Sequence, residues 1–200
     1  MKKLTALAFA LFAAVSLQAR NPVFTYGLEW GYTATILKTG QYNFICAEGY
    51  RIIENPVIWR YFSNGSILAN AGLNLTDHLN VSACSGLLGV YSRRWMVPVE
   101  LRLKYCPAGL YNDGLVLGAG GGVAFPTTTL RETGARGVAG AGYRFALFRK
   151  MSVDFMLSLN VTLDHDRITD PDTRQYVSRT EIESNTVQYY ALNLSIGLNF

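Results

Sequence analysis

Six charged residues share one face of segments that alternate between apolar and polar side chains, and they are the first candidates for chemistry. They carry both signs: Glu29, Glu100, Arg102, Lys104, Arg144 and Asp154. Charges held away from water must be paired or hydrated. The interior of a small closed sheet is only wide enough for side chains to fill. We therefore predict a lumen charge network of salt bridges, and a narrow gated channel for ions or small solutes is the alternative.

A second candidate is an acidic segment that contains a histidine. It comprises Asp164, His165, Asp166, Asp170 and Asp172. An Asp–His pair could activate water, and clustered carboxylates could bind Ca²⁺ through their oxygens. The spacing matches no Ca²⁺ loop, and Arg167, Arg174 and Arg179 balance the charge. We therefore predict a solvated turn with no catalytic residue, metal or cofactor. His78, next to Asp77, is interpreted in the same way.

Two further patterns give weak chemical signals. The run Gly118–Gly122 is similar in composition to a phosphate-binding loop, but Pro126 follows and no helix does, so we expect a barrel strand. A lipid-modifying enzyme would need an activated histidine near the outer leaflet. Only His165, with Ser63 or Ser92, could meet that need. We expect a protein that is not an enzyme, and lipid modification remains a second alternative.

The segment from Tyr50 to Phe62 is too apolar for a loop that is merely solvated. Its large side chains form a candidate outer-loop contact surface: Tyr50, Ile52, Trp59, Tyr61 and Phe62. Two interpretations remain open. The strands could continue as a hairpin around Asn55-Pro56, which we favour, or the segment could bind a partner.

The amino terminus predicts export. Lys2 and Lys3 precede an apolar stretch from Leu4 to Leu17, which is typical of a signal peptide at residues 1–19, cleaved after Ala19. Removing the two lysines lowers the formal net charge of +4 by two, and no basic run indicates nucleic acid. No later apolar stretch is long enough for a membrane helix. The three cysteines leave at least one thiol unpaired and exclude a fold built on disulfides.

Residues 20–200 must supply the elements that position these side chains. In the last segment, large apolar residues recur at every second position: Tyr190, Leu192, Leu194, Ile196, Leu198 and Phe200. Small or polar residues lie between them, and a period of two predicts a strand. Alternation of this kind recurs in eight segments: 24–33, 65–75, 79–91, 96–105, 114–125, 135–148, 151–163 and 190–200. A membrane protein without helical spans must pair its backbone in a closed barrel. We therefore predict an all-β, transmembrane, antiparallel up-and-down barrel of about eight strands.

The lengths of the links support this topology. Short links are predicted at 76–78, 106–113 and 149–150, long ones at 35–64 and 164–185, a medium one at 126–134, and an exceptional short outer one at 92–95. Such barrels have short periplasmic turns and longer outer loops. The chain resembles small outer-membrane barrels of the OmpA transmembrane-domain and OmpX type. Its ending, Tyr190 to Phe200, is similar to the membrane-insertion signal read by the barrel-assembly machinery.

This resemblance implies an address and a set of partners. We expect a multi-pass barrel in the outer membrane of a Gram-negative cell, in contact with outer-membrane lipid and lipopolysaccharide. Likeness of fold does not transfer an activity. The function we predict is structural, or a surface interaction with an extracellular or envelope protein through the outer loops.

Overall fold

The structure is a computed structural model that describes residues 24–92, 94–127, 132–148 and 151–200. The predicted signal peptide and the turn at 149–150 lie outside these residues. The strands are β1 (Phe24–Ile45), β2 (Arg51–Glu54), β3 (Val57–Asn74), β4 (Leu79–Tyr91), β5 (Arg94–Tyr105), β6 (Gly114–Pro126), β7 (Gly134–Phe148), β8 (Met151–Asp164) and β9 (Ile182–Asn199). A 3₁₀ turn, Arg179–Glu181, precedes β9. Among the described residues, no helix is long and apolar enough to cross a membrane.

Eight long strands form a closed ring. Each of them pairs antiparallel with its neighbours in chain order, β2 pairs with β1 alone, and β9 returns to pair with β1. The β1–β9 register runs from Gly27 opposite Asn199 to Phe44 opposite Ile182. Closure satisfies the backbone hydrogen bonds that an open sheet edge would leave unmade in lipid. The predicted fold class and strand number are therefore confirmed, with β2 as a short addition.

The walls of the barrel follow the predicted alternation. In β1, Leu28 and Trp30 are exposed on the outside while Glu29 between them is buried inside. The outer face of the last strand carries Leu192, Leu194 and Ile196, and its inner face carries Asn193 and Ser195. In these parts of β1 and β9 the large apolar residues therefore point away from the interior, as lipid-facing strands require.

A bulge interrupts this alternation near the outer end of β1. The registers of β1 with both β3 and β9 shift between Thr35 and Leu37. An extra residue in one strand moves the following side chains to the opposite face. Up to Thr35, the odd-numbered residues of β1 face inward. Beyond the bulge, the even-numbered Lys38 faces inward instead. The bulge therefore brings a lysine into the mouth of the barrel.

The long link predicted at 35–64 is mostly strand. β1 continues to Ile45, a tight turn follows, and β2 returns along β1 with Ile45 opposite Arg51. The expectation that the barrel continues as a hairpin is confirmed. The position of its tip was wrong, because the chain reverses at residues 46–50 and Asn55-Pro56 only separates β2 from β3. Proline has no N–H to donate, which accounts for the break there.

Candidate functional site: a filled lumen and a protruding outer sheet

The periplasmic end of the lumen holds a lower charge cluster around Asp154. Arg144 binds this carboxylate with two nitrogens, at 2.6 and 2.7 Å. Lys104 Nζ lies 3.0 Å from it, and Asn199 Nδ2 donates at 3.0 Å. Arg144 also donates to the carbonyl oxygen of Leu110, at 2.6 Å, in the link after β5. The cluster therefore ties β5, β7, β8, β9 and a periplasmic link together across the interior.

A central charge cluster lies one layer further out. Arg102 contacts Glu29 at 2.7 Å and Glu100 at 2.9 Å. Arg136 makes a close ion pair with the second oxygen of Glu100. The structure thus brings all six sequence-derived lumen residues into two clusters and adds Arg136, which we did not select. The signal for it was available, because Arg136 alternates with Ala135 and Gly137 in the same strand as Arg144.

An apolar layer fills the lumen above the central cluster. It consists of buried side chains from four strands: Leu88, Val90, Met96, Ala124, Val187 and Tyr189. Tyr42 and Tyr91 pack against this layer. Sequence analysis assigned apolar residues to the outside and did not predict it. The signal was the irregular alternation of residues 79–91, where Leu87, Leu88 and Val90 interrupt the period of two.

A rim cluster closes the outer mouth. Arg94 lies 2.9 Å from Asp164 and 2.5 Å from Asp166, and Lys38 Nζ lies 2.7 Å from Asp166. Arg94 also donates to the Tyr189 hydroxyl at 2.6 Å. Asp166 belongs to the loop after β8. Burial alone would raise the pKa of its carboxyl, but Arg94 and Lys38 outweigh burial and hold the pKa below its ordinary value.

Three small cavities lie between these layers. A cavity of about 30 Å³ lies beside Arg102 and Lys104, and another of about 30 Å³ lies beside Asn74 and Arg144. A third, of about 10 Å³, lies beside Arg136 and Asn160. A buried water needs roughly 10–15 Å³, so each cavity has room for no more than a few water molecules.

The outer loop of residues 165–178 is anchored to the tip of the β1–β2 hairpin. The Asp170 carboxylate accepts backbone N–H bonds from Ala47 at 2.7 Å, Asp172 at 2.8 Å and Thr173 at 3.0 Å. The amides of Thr173 and Ala47 hold the pKa of Asp170 below its usual value. The Tyr50 hydroxyl donates to Asp172 at 2.8 Å. These carboxylates therefore cap the backbone and secure the loop.

The remaining sequence candidates are dispersed. His165 lies in the outer loop, with Nε2 3.8 Å from Glu132. His78, beyond β3, contacts the Cys106 carbonyl oxygen through Nδ1 at 3.0 Å. Among the described residues, no group of three His, Cys, Asp or Glu side chains is placed to hold a metal ion. The glycine run lies within β6, as expected for a strand.

The five residues of the candidate contact surface do not share one face. Tyr50 lies at the hairpin tip, and Phe62 turns inward, where its ring lies 4.2 Å from that of Tyr91. Trp59 and Tyr61 face outward. Ile53 and Val57 pair with Asn43 and Thr39 on that same outward face, so they extend the row of Trp59 and Tyr61 above the barrel wall. This outward column is Ile53, Val57, Trp59 and Tyr61, each more than 60% exposed.

A closed antiparallel sheet with a continuous apolar exterior and a polar, ion-paired interior defines a transmembrane β-barrel. The apolar band is bounded by aromatic side chains, with Tyr26 stacked on Phe200 at the periplasmic end and Tyr61 and Trp95 near the outer end. Such girdles mark the two membrane interfaces. The chain is an outer-membrane β-barrel.

Three solved structures are similar to this chain, and the first of them supports the barrel fold. Neisserial surface protein A matches with a TM-score of 0.52 and 11% identity, over 88% of this chain and 95% of that chain. The outer membrane protein OprG from Pseudomonas aeruginosa gives 0.48 and 10%, over 92% and 98%. The outer membrane protease OmpT from Escherichia coli gives 0.43 and 10%, over 90% and 97%. No protein-family model and no curated protein matches the sequence.

Proposed function

We propose that this barrel is a non-enzymatic surface-interaction protein with a closed lumen, and that its outer sheet contacts an extracellular or envelope protein. The outward column carries this proposal. Apolar residues in a girdle are explained by lipid, but Ile53 and Val57 lie above Trp59, beyond the level of Tyr61 and Trp95. An apolar row that leaves the bilayer and remains exposed is typical of a contact surface.

The anchoring of the outer sheet supports this role. β2, β1 and the outer part of β9 lie side by side, and Arg51 of β2 forms a 2.7 Å ion pair with Glu183 of β9. The loop of residues 165–178 is secured to the hairpin tip through Asp170 and to the barrel mouth through Asp166. A surface held in this way loses little conformational entropy when it binds a partner.

The filling of the lumen is less compatible with a channel. Two charge clusters, an apolar layer and the rim cluster succeed one another along the axis. An ion would have to displace buried salt bridges and pass through an apolar constriction. The channel alternative therefore requires a rearrangement that the outer-sheet role does not.

Two measurements test the proposal together. Cells that display the wild-type chain should adhere to one another or to immobilised extracellular proteins more than cells without it. The double variant Ile53→Ser/Trp59→Ser should lose most of that adhesion, whereas Tyr176→Ser, which removes an exposed aromatic elsewhere on the outer surface, should keep it. Adhesion equal to that of cells lacking the chain would refute the contact role. Discrete conductance steps from the pure protein in planar bilayers would refute the closed lumen.

A further inference from the structure

The outer part of β9 has a strand edge that faces the outer loop of residues 165–178. β8 pairs with β9 only as far as Asp164 opposite Val187, whereas β9 begins at Ile182. β1 covers the other edge of this segment, and none of the described strands lies beside residues 182–186 on the loop side. In an antiparallel strand, alternate residues direct their backbone N–H and C=O groups to each edge. Part of this backbone is therefore available to a ligand.

A cleft of about 940 Å³ separates this edge from the outer loop. Residues 182–186 form one wall, and residues 165–168 and 176–179 contribute to the other. Glu132, in the link between β6 and β7, also lines the cleft. Ligand pockets in proteins commonly measure roughly 300–1,000 Å³, so the cleft has room for a ligand of several rings.

The charges that line the cleft leave one cation without a counter-ion. Each lining carboxylate already has a cation, and the pairs are Asp166 with Lys38 and Arg94, Glu132 with Arg179, and Glu183 with Arg51. Arg167 forms no ion pair among the described residues, and its guanidinium lies 5.1 Å from the ring centre of Tyr176. A cation–π contact orients a guanidinium without neutralising it. Arg167 can therefore still bind a carboxylate or a phosphate, the groups that its fork of N–H donors matches.

The uncharged part of the lining is rich in hydrogen-bonding groups. Ser184 and Thr186 contribute hydroxyl groups, and Asn185 contributes an amide. Two buried polar atoms of lining residues, His165 Nδ1 and Asn185 Oδ1, have no hydrogen-bond partner among the described residues. Buried polar atoms are almost always hydrogen-bonded in folded proteins. These two atoms therefore indicate a polar occupant of the cleft.

An acidic saccharide is the ligand whose chemistry matches all of these groups. Its ring hydroxyls donate and accept hydrogen bonds in several directions, as hydroxyl and amide side chains and a strand edge require. Its carboxylate or phosphate supplies the counter-ion that Arg167 lacks. A fatty acid would leave the polar lining unmatched. A nucleic acid would need a row of free cations, and the cleft offers one among its described residues.

We propose that the cleft binds a saccharide that carries a carboxylate or a phosphate. The acidic group lies on Arg167, and the sugar hydroxyls bind Ser184, Thr186 and the free edge of β9. This chemistry occurs both in oligosaccharides from outside the cell and in the sugar headgroup of an outer-leaflet lipid. Binding at the cleft does not depend on the outer sheet having a protein partner, because no residue of the outward column lines it.

Two sugars that differ by one acidic residue test the proposal. The full barrel is placed in phospholipid nanodiscs without lipopolysaccharide, and the binding of 3′-sialyllactose and of lactose is measured by saturation-transfer NMR. The wild type should bind 3′-sialyllactose about tenfold more tightly than lactose or better, since a hydrogen-bonded charge pair distinguishes the two sugars. Arg167→Gln should bind both sugars equally. Arg174→Gln, which removes the same charge from the same loop outside the cleft, should keep the preference.

Three results would overturn the proposal. They are equal binding of the two sugars by the wild type, a preference that survives in Arg167→Gln, and tighter binding of tetraglutamate than of 3′-sialyllactose, which would assign the cleft to an acidic peptide. A heat-modifiability gel checks that each variant is folded.

Nanodiscs that contain lipopolysaccharide distinguish the two sources of the saccharide. If the headgroup of this lipid is the ligand, it should occupy the cleft and abolish the binding of 3′-sialyllactose. If the ligand is an oligosaccharide from outside the cell, the binding of 3′-sialyllactose should be unchanged.

Discussion

The lower charge cluster gives the sharpest prediction about stability. Asp154 is completely buried, and its carboxylate is bound by Arg144, Lys104 and Asn199. Asp154→Asn keeps the shape of the side chain but removes its charge, so that two buried cations lose their counter-ion. Breaking a buried ion pair from one side costs about 3–5 kcal/mol. We expect the free energy of unfolding to fall by an amount in that range.

The Arg51–Glu183 pair offers a matched control. Its side chains are 54% and 60% exposed, and exposed pairs contribute about 0–1 kcal/mol. Glu183→Gln removes one negative charge, as Asp154→Asn does, and should change stability by less than about 1 kcal/mol. Guanidinium unfolding in detergent micelles, followed by the mobility shift on unboiled gels, measures both variants. If Asp154→Asn and Glu183→Gln lowered the free energy of unfolding by the same small amount, the lumen would be hydrated and its ion pairs would behave as surface pairs.

Replacing all the charged residues of the lower charge cluster separates the effect of ion pairing on stability from the effect of packing. A triple variant with Asp154, Arg144 and Lys104 replaced by Leu, Met and Met leaves no unpaired charge behind. Replacing buried ion pairs by apolar residues is often neutral or stabilising. We therefore expect the triple variant to be more stable than Asp154→Asn alone. A triple variant that is less stable than the single one would contradict the view that uncompensated charge causes the loss.

Three further outcomes are expected. Because the pKa of Asp166 is lowered in the folded protein, the stabilisation from its ion pairs is complete above the unfolded value of about 3.9 and is lost as the pH falls through the folded value. Hydrogen exchange of residues 165–178 should therefore be slow at neutral pH and increase only in strong acid, and Asp166→Asn should increase it at neutral pH. The three cysteines are buried and unbridged, so a thiol reagent should label them only after boiling; labelling of the folded barrel would show that the interior is open. A methyl group added at Gly142 would meet the Phe155 carbonyl, whereas one at Gly137 would meet nothing within 4 Å, so Gly142→Ala should lower the folded fraction on unboiled gels and Gly137→Ala should not.

The wall of the barrel was predictable because lipid imposes a simple rule on it. Every second residue must be apolar, so β5 and β9 could be assigned residue by residue, and the charges of Glu100, Arg102 and Lys104 followed as inward. Closure into a ring followed from the need to pair every backbone group within the membrane. These inferences required only the local alternation of apolar and polar residues along the sequence.

The rim cluster was not predictable, because lipid does not impose this alternation on it. Lys38 points inward only because of the bulge after Thr35, and a single added residue leaves no clear mark on a sequence. Asp166 reaches the mouth from a loop that has no periodicity, and it meets Arg94 from a distant strand. The apolar layer was missed because inward apolar residues violate the rule that identified the strands. Irregularity in β4 was the one local sign of it.

The pairing of the first strand with the last has a kinetic consequence. Glu29 lies opposite Gly197, so the ring closes through contacts between residues that are almost as far apart in sequence as the chain allows. Long-range pairing is slow, because loop-closure entropy is lost before the contacts that reward it can form. Until the final residues take their place beside β1, at least one strand edge and the whole apolar exterior remain open to association with other chains. The interval between export and closure is therefore the period in which this chain most needs protection from aggregation, and any change that delays the docking of β9 should lengthen it.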